Sequence, residues 1–107
     1  MSEFEDRGRA QEKKFELDQE MEFRAQARRA KLTGLWAAGL MGMTGDPADT
    51  YAKSVILADL EEAGVEDLFR KVKADLVAKS VAPSDHLIRV KMDEFLEVAR
   101  KQIRDGI

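Results

Sequence analysis

Residues 32–43, LTGLWAAGLMGM, lie in the longest uncharged run of this 107-residue chain and decide its fold. Read as a helix together with the residues before them, they continue one apolar arc of about 100°, as in an amphipathic core helix. The arc consists of Leu17, Met21, Ala25, Leu32, Leu35, Trp36, Gly39 and Met43. We predict a first helix over about residues 19–42, in which Gly39 either frays the end or permits close packing.

Three further helices follow, each marked by signals at its ends. Asp46 and Pro47 suit the first turn of a helix over about 47–63, and Gly64 suits the left-handed conformation that ends it. The next helix is predicted over 66–79, and the last over 85–104 behind Ser84 as N-cap. Short links between amphipathic helices favour antiparallel packing. We therefore predict an all-α protein, a four-helix bundle of residues 19–107 with a flexible N-terminal arm.

Residues 1–18 form the predicted arm. The first 29 residues carry 15 charged side chains and few large apolar ones, so this part of the chain cannot fold alone. Phe4 and Phe15 are 11 residues apart, which places them about 20° from each other around a helix axis. We predict a mobile arm, largely disordered when free, that becomes a helix when these two side chains bind a partner.

Composition excludes several functional classes. A net charge of -3 argues against a sequence-independent nucleic-acid binder. The absence of cysteine and the single histidine argue against a transition-metal site, and no acid–base pair or nucleophile has suitable neighbours, so we predict no enzyme. The acidic N terminus is unlike a signal peptide, and the uncharged run is too short to cross a bilayer. We expect a cytoplasmic protein without membrane insertion.

Two charged residues lie within predicted apolar arcs, Asp59 on the second helix and Arg28 on the first. An unpaired buried carboxylate is costly, so one interpretation places Asp59 beside a cation, with Arg28 as the first choice. The alternative leaves Asp59 hydrated at the edge of a narrow core. Trp36 and Tyr51 are predicted to pack in the core, and His86 is predicted to lie on the surface.

Several short motifs together carry a family resemblance. They are Phe4, Asp6-Arg7 and Lys14-Phe15 in the arm, the block 27–38, Tyr51-Ala52-Lys53, Ala58-Asp59, and Ser84-Asp85-His86. Over nearly its whole length the chain resembles the zeta subunit family of alphaproteobacterial F-type ATPase inhibitors. The resemblance implies a four-helix bundle with a mobile N-terminal arm, acting as a regulator and not as an enzyme.

The resemblance also implies a mechanism, in which the arm enters the catalytic head of the ATP synthase and blocks ATP hydrolysis. The arm would lie between an alpha/beta interface and the central shaft, so the partners would be the alpha, beta and gamma subunits, and the protein would be peripheral to the inner membrane. Its partner-binding residues would be Phe4, Asp6, Arg7, Gln11, Lys14 and Phe15. Gly8, Gln11 and Ala30 depart from the family pattern, and the first two predict a weaker arm helix.

Family members are further associated with weak ADP or ATP binding to the bundle, with no cofactor required. Because helices two to four begin with acidic residues, an anion here would have to be held by side-chain cations. The candidate nucleotide-binding residues are Arg28, Arg29, Lys31, Trp36 and Arg89. The alternatives to a direct inhibitor are an ADP- or ATP-sensing bundle that modulates a partner and a general interaction module.

Overall fold

The computed structural model describes the backbone of residues 2–61 and 64–107, and the side chains of residues 18–61 and 64–107. Within these ranges there are four helices and no strand: α1 spans Ser2–Leu40, α2 Gly45–Glu61, α3 Val65–Ala78 and α4 Asp85–Arg104. The predicted all-α fold with four helices is confirmed. None of the described helices has the length and apolar character needed to span a membrane.

Local signals place the ends of the later helices. Ser84 accepts a hydrogen bond from the backbone N–H of Leu87 at 3.0 Å, so it caps α4 as predicted. The predicted end of α2 at Ala63 lies outside the described residues. Gly64 has φ 157° and ψ 149° and not the left-handed helical conformation predicted, because it leads directly into α3.

The first helix begins earlier than predicted. Its backbone is helical from Ser2, not from about residue 19. Residues 2–18 are rich in Glu, Lys and Arg, which favour helix, and a helix already nucleated in the bundle extends without a new nucleation cost. Its 39 residues correspond to about 58 Å, against about 30 Å for the 20 residues of α4. The mobility of the arm stays a prediction.

Small residues line the buried side of α1, which contacts the other three helices. The buried positions of this helix are Ala25, Arg29, Ala30, Thr33, Gly34, Ala37 and Ala38. Leu32, Leu35 and Trp36 are only half-buried. The buried face is therefore rotated about the helix axis by more than ~100°, the angle between successive residues, from the predicted arc. The larger core side chains come from the other helices, among them Val55, Leu68, Val72, Leu76, Ile88 and Met92.

The backbones of α1 and α2 approach each other closely at Gly34. A Cβ atom at this position would lie 3.0 Å from the Cα atom of Ala52 and 3.2 Å from Cγ2 of Val55. At Gly39 no described atom lies within 4 Å of such a Cβ. Close packing, which the sequence offered as one role for Gly39, therefore occurs at Gly34 instead.

We expect Gly34→Val to lower the free energy of unfolding by about 2 kcal/mol, because the added methyl groups overpack the contact with α2. Gly39→Ala is the matched control, and it should raise the free energy of unfolding by roughly 0.5 kcal/mol because the site is open and helical. Urea denaturation followed by circular dichroism measures both variants. A Gly34→Val protein as stable as the wild type would contradict the close contact.

Candidate functional site

The predicted partner-binding residues of the arm lie on the helical backbone of α1, and their side chains lie outside the described residues. They are Phe4, Asp6, Arg7, Gln11, Lys14 and Phe15. In one continuous helix, positions 4 and 15 are about 20° apart around the axis, which is the alignment that the sequence predicts. Contact of these residues with a partner stays a prediction.

A bidentate ion pair joins α1 to α4 directly after the arm. Arg100 donates to both carboxylate oxygens of Glu22, from Nε at 3.1 Å and from Nη2 at 2.7 Å. It also donates to Glu97 at 2.7 Å. The Arg100 guanidinium lowers the pKa of Glu22. Two parallel hydrogen bonds fix orientation as well as distance, so α1 leaves the bundle at a defined point near Glu22.

Three adjoining depressions, with volumes of about 310, 260 and 320 Å³, surround Lys31 on the bundle surface. All three are lined by Lys31, two by Arg28 and two by Ile56. We call the surface formed by these three depressions the cationic trough; among its lining residues are Phe23, Arg24, Arg28, Lys31, Leu35, Lys53, Ile56 and Ile103. The sequence indicated Arg28 and Lys31 as candidate binding residues but not the whole surface, because α1, α2 and α4 all contribute to it.

Arg29, and not Arg28, is the cation whose charge acts on the carboxyl group of Asp59, and the two side chains form no salt bridge within 4.0 Å. Asp59 is 9% exposed and Arg29 is 5% exposed. Arg28 instead donates to Gln102 at 3.3 Å and to the main-chain oxygen of Ile107. The predicted pairing of Asp59 with Arg28 is therefore wrong, and hydration of its carboxylate stays a prediction. The reason is the orientation of α1, whose buried face includes Arg29 and leaves Arg28 at its border.

Burial controls the ionisation of Asp59. Desolvation raises the pKa of its carboxyl group, the positive charge of Arg29 acts in the opposite direction, and the negative charge of Asp67 adds to the rise. Nε of Arg29 is buried and has no hydrogen-bond partner among the described residues. Charge attraction in this cluster therefore only partly compensates for desolvation.

Arg89 lies on α4 and faces α3. Its guanidinium donates to both carboxylate oxygens of Glu66, at 2.8 and 3.0 Å, and lies 4.0 Å from the centre of the Phe69 ring. This pairing lowers the pKa of Glu66 and raises the pKa of Arg89. Arg89 thus has a carboxylate and an aromatic partner within the bundle.

The five candidate nucleotide-binding residues occupy different environments. Arg28 and Lys31 line the cationic trough, whereas Arg29 is buried and its charge acts on Asp59 of α2. Trp36 packs against the hydrophobic core, which confirms its predicted structural role. The structure brings Arg28 and Lys31 together and gives Arg89 a carboxylate partner on α3. Nucleotide contact by these residues stays a prediction.

Tyr51 also packs against the core, as predicted, and its hydroxyl donates to Oδ2 of Asp75 at 2.9 Å. Lys71 forms a salt bridge with the same Asp75 oxygen at 2.9 Å. Burial, together with the Asp75 carboxylate, raises the pKa of Tyr51 far above its usual range. His86 is exposed, as predicted. The hydrogen bond between Tyr51 and Asp75 joins α2 to α3, and the Lys71 salt bridge within α3 holds the Asp75 carboxylate in place.

These features define a class of protein, a four-helix bundle that carries a longer N-terminal helix. In the part of the chain whose side chains are described, no group of three or more residues is arranged to hold a metal ion. The chain belongs to the ATPase inhibitor subunit zeta family, whose family model matches residues 1–102. The family resemblance read from the sequence is thereby confirmed. Membership supports a regulatory role as an ATPase inhibitor, with the ATP synthase as partner.

A protein whose structure was determined in solution by NMR is similar to this chain. The two share 45% sequence identity, with a TM-score of 0.70, and the alignment covers 81% of this chain and 99% of the other. No match is found among proteins with curated descriptions. The two proteins are therefore similar in fold as well as in sequence.

Proposed function

We propose that this protein inhibits ATP hydrolysis by inserting residues 1–18 as a helix into the catalytic head of an F-type ATP synthase. The observation that carries the proposal is the continuity of α1, which runs as one helix from Ser2 to Leu40. A helix that is formed before binding loses less conformational freedom on binding than a disordered segment does. The arm and the bundle would therefore act as one mechanical unit.

The width of the bundle would stop the arm at a defined depth. A single helix with its side chains is about 10–12 Å wide. The molecule measures 25 × 22 Å across its two shorter axes, so the bundle cannot follow the arm into a crevice that fits one helix. The ion pair between Glu22 and Arg100 marks where the arm ends and the packed part of α1 begins. An arm held between an alpha/beta interface and the central shaft would then obstruct rotation.

In this proposal the apolar contacts come from Phe4 and Phe15, and the surrounding polar contacts come from Asp6, Arg7, Gln11 and Lys14. The chain itself performs no catalytic step. It would lie on the cytoplasmic side of the inner membrane only through its contact with the synthase. A nucleotide-sensing bundle remains the alternative proposal, and binding of ADP to Arg28 or Lys31 would be its first sign.

Site-specific cross-linking tests where the arm binds. The chain contains no cysteine, so a single introduced cysteine carries a photo-crosslinker at one position only. We expect Lys13→Cys in the arm to cross-link to subunits of the purified catalytic head. The matched control, His86→Cys at an exposed position on α4, should give no cross-link. Equal labelling from both positions, or labelling from position 86 alone, would contradict insertion of the arm.

A further inference from the structure

We propose that the cationic trough binds an acidic amphipathic helix on the surface of the catalytic head. This inference rests on the proposed function, because it assigns a second contact to the same partner. The arm would block the enzyme, and the trough would hold the bundle against it. Charge, shape and position relative to the arm each support the inference.

The trough is positively charged, whereas the whole chain has a negative net charge. The chain has a net charge of -3, yet the described side chains lining the three depressions include one carboxylate, Asp49, and four cations, of which Arg24 is paired with Glu20. Lys31 and Lys53 are exposed and form no salt bridge with any described residue. Two lysines are therefore available for carboxylates of a partner. A basic patch on an acidic protein favours a partner with acidic side chains.

Apolar groups lie between these cations. The Phe23 side chain is 60% exposed, and Ile56 and Ile103 are half-buried beside it. From Phe23 to Leu35 the trough follows α1 for about 18 Å, the length of about three helical turns. An amphipathic helix could place its apolar stripe on Phe23 and Ile56 and its carboxylates beside the lysines. Aromatic side chains with this exposure often serve as anchors in protein interfaces.

The trough is also close to the arm. Phe23 follows the end of the arm at residue 18 by five residues, which is about 8 Å along a helix. A partner that holds the arm is therefore within reach of the trough. Because the two contacts lie on one continuous helix, the second raises the apparent affinity without having to be strong by itself. Loss of the trough should weaken binding and leave the extent of inhibition at saturation unchanged.

Charge reversal tests the trough with the full-length protein and the purified catalytic head. We expect Lys31→Glu with Lys53→Glu to raise the concentration for half-maximal inhibition about tenfold, with the same maximal inhibition. The matched control reverses Lys79 and Lys101, which are exposed and outside the trough, and should change this concentration less than twofold. Circular dichroism confirms that both proteins are folded. Higher ionic strength should weaken the wild type more than the trough variant.

A second pair of variants tests the apolar contact. Phe23→Ala should raise the half-maximal concentration about fivefold. Leu57→Ala is its control, because Leu57 is 61% exposed and lies outside the trough. Equal effects of Phe23→Ala and Leu57→Ala, or of the two charge reversals, would overturn the inference while inhibition by the arm still stands. A wild-type protein that binds the immobilised head but does not inhibit it would instead contradict the proposed function.

Nucleotide is the competing occupant of the trough. We expect ADP, titrated into the full-length protein and followed by NMR, to give no saturable shift of the Lys31 and Phe23 resonances. A saturable shift that disappears in the Lys31→Glu, Lys53→Glu protein, combined with displacement of the head by ADP, would make the trough a nucleotide site and overturn the inference. Unchanged affinity for the head in the presence of ADP would support docking.

Discussion

Replacing Phe4 and Phe15 together with alanine is expected to weaken inhibition of ATP hydrolysis by about a thousandfold, while the bundle remains folded. A phenylalanine that is fully buried in an interface contributes about 2 kcal/mol through its apolar area, and interface anchors contribute more. Two such losses correspond to about 4 kcal/mol, or about three powers of ten in affinity. Alanine also favours helix, so the loss cannot come from unfolding of the arm.

The measurement is the rate of ATP hydrolysis by the purified catalytic head as the concentration of full-length variant is raised. The matched control replaces Leu57 and Val77 with alanine, since these apolar side chains on the bundle are 61% and 58% exposed. The control should inhibit like the wild type. Inhibition that survives in the Phe4→Ala, Phe15→Ala protein would transfer the activity from the arm to the bundle.

The bundle could largely be predicted from the sequence, because its signals are local. The Ser84 cap and the acidic first turn of α3 place helix ends within a residue or two. The start of α1 could not be placed in this way. The charge density of residues 2–18 indicates solubility but does not reveal that the arm extends a helix whose nucleation the bundle provides.

Which side of α1 is buried was harder to predict than where the helices begin and end. The bulky residues of α1 suggested a face containing Leu32 and Leu35, but α1 touches three helices and needs small residues, such as Gly34 and Ala37, where they meet. Large side chains then lie at the border of the contact. The same rotation makes Arg29 the buried cation in place of Arg28, and it leaves Arg28 at the border of the buried face, where it lines the trough. Whether a given α1 residue is buried or belongs to a surface site depends on the rotation of the helix about its axis. Such residues therefore could not be assigned from one sequence.

The buried cluster of Arg29 and Asp59 supports a second large prediction, on stability. Arg29→Met is expected to lower the free energy of unfolding at neutral pH by about 1–2 kcal/mol, because the Asp59 carboxylate then loses the positive charge that partly offsets its desolvation. Methionine keeps most of the side-chain volume, so little of the loss comes from a cavity. Adding Asp59→Asn to the Arg29→Met protein should restore most of the lost stability, since the amide at position 59 carries no charge. Urea denaturation of the two single variants and the double variant measures the coupling.

The pH dependence gives this cluster a distinct signature. Because the pKa of Asp59 is raised in the folded state, folding favours its protonated form. The resulting stabilisation of the folded protein is fully present below the pKa of an unfolded aspartate, about 3.9. It is lost as pH rises through the pKa that Asp59 has in the folded protein. Glu22 has the opposite sign, since its lowered pKa adds stability above the unfolded value and loses it as pH falls.

Subtracting the pH profile of Asp59→Asn from that of the wild type removes the contribution of Glu22 and leaves that of Asp59. We expect the free energy of unfolding of the wild type, minus that of Asp59→Asn, to be larger at acidic pH than at neutral pH. At pH 7 the Asp59→Asn protein alone should be at least as stable as the wild type. In the Arg29→Met background the midpoint should move to higher pH, because the attraction that opposes the rise is gone. A flat difference profile, or a midpoint that moves to lower pH, would mean that Asp59 is solvated and that Arg29 does not act on it.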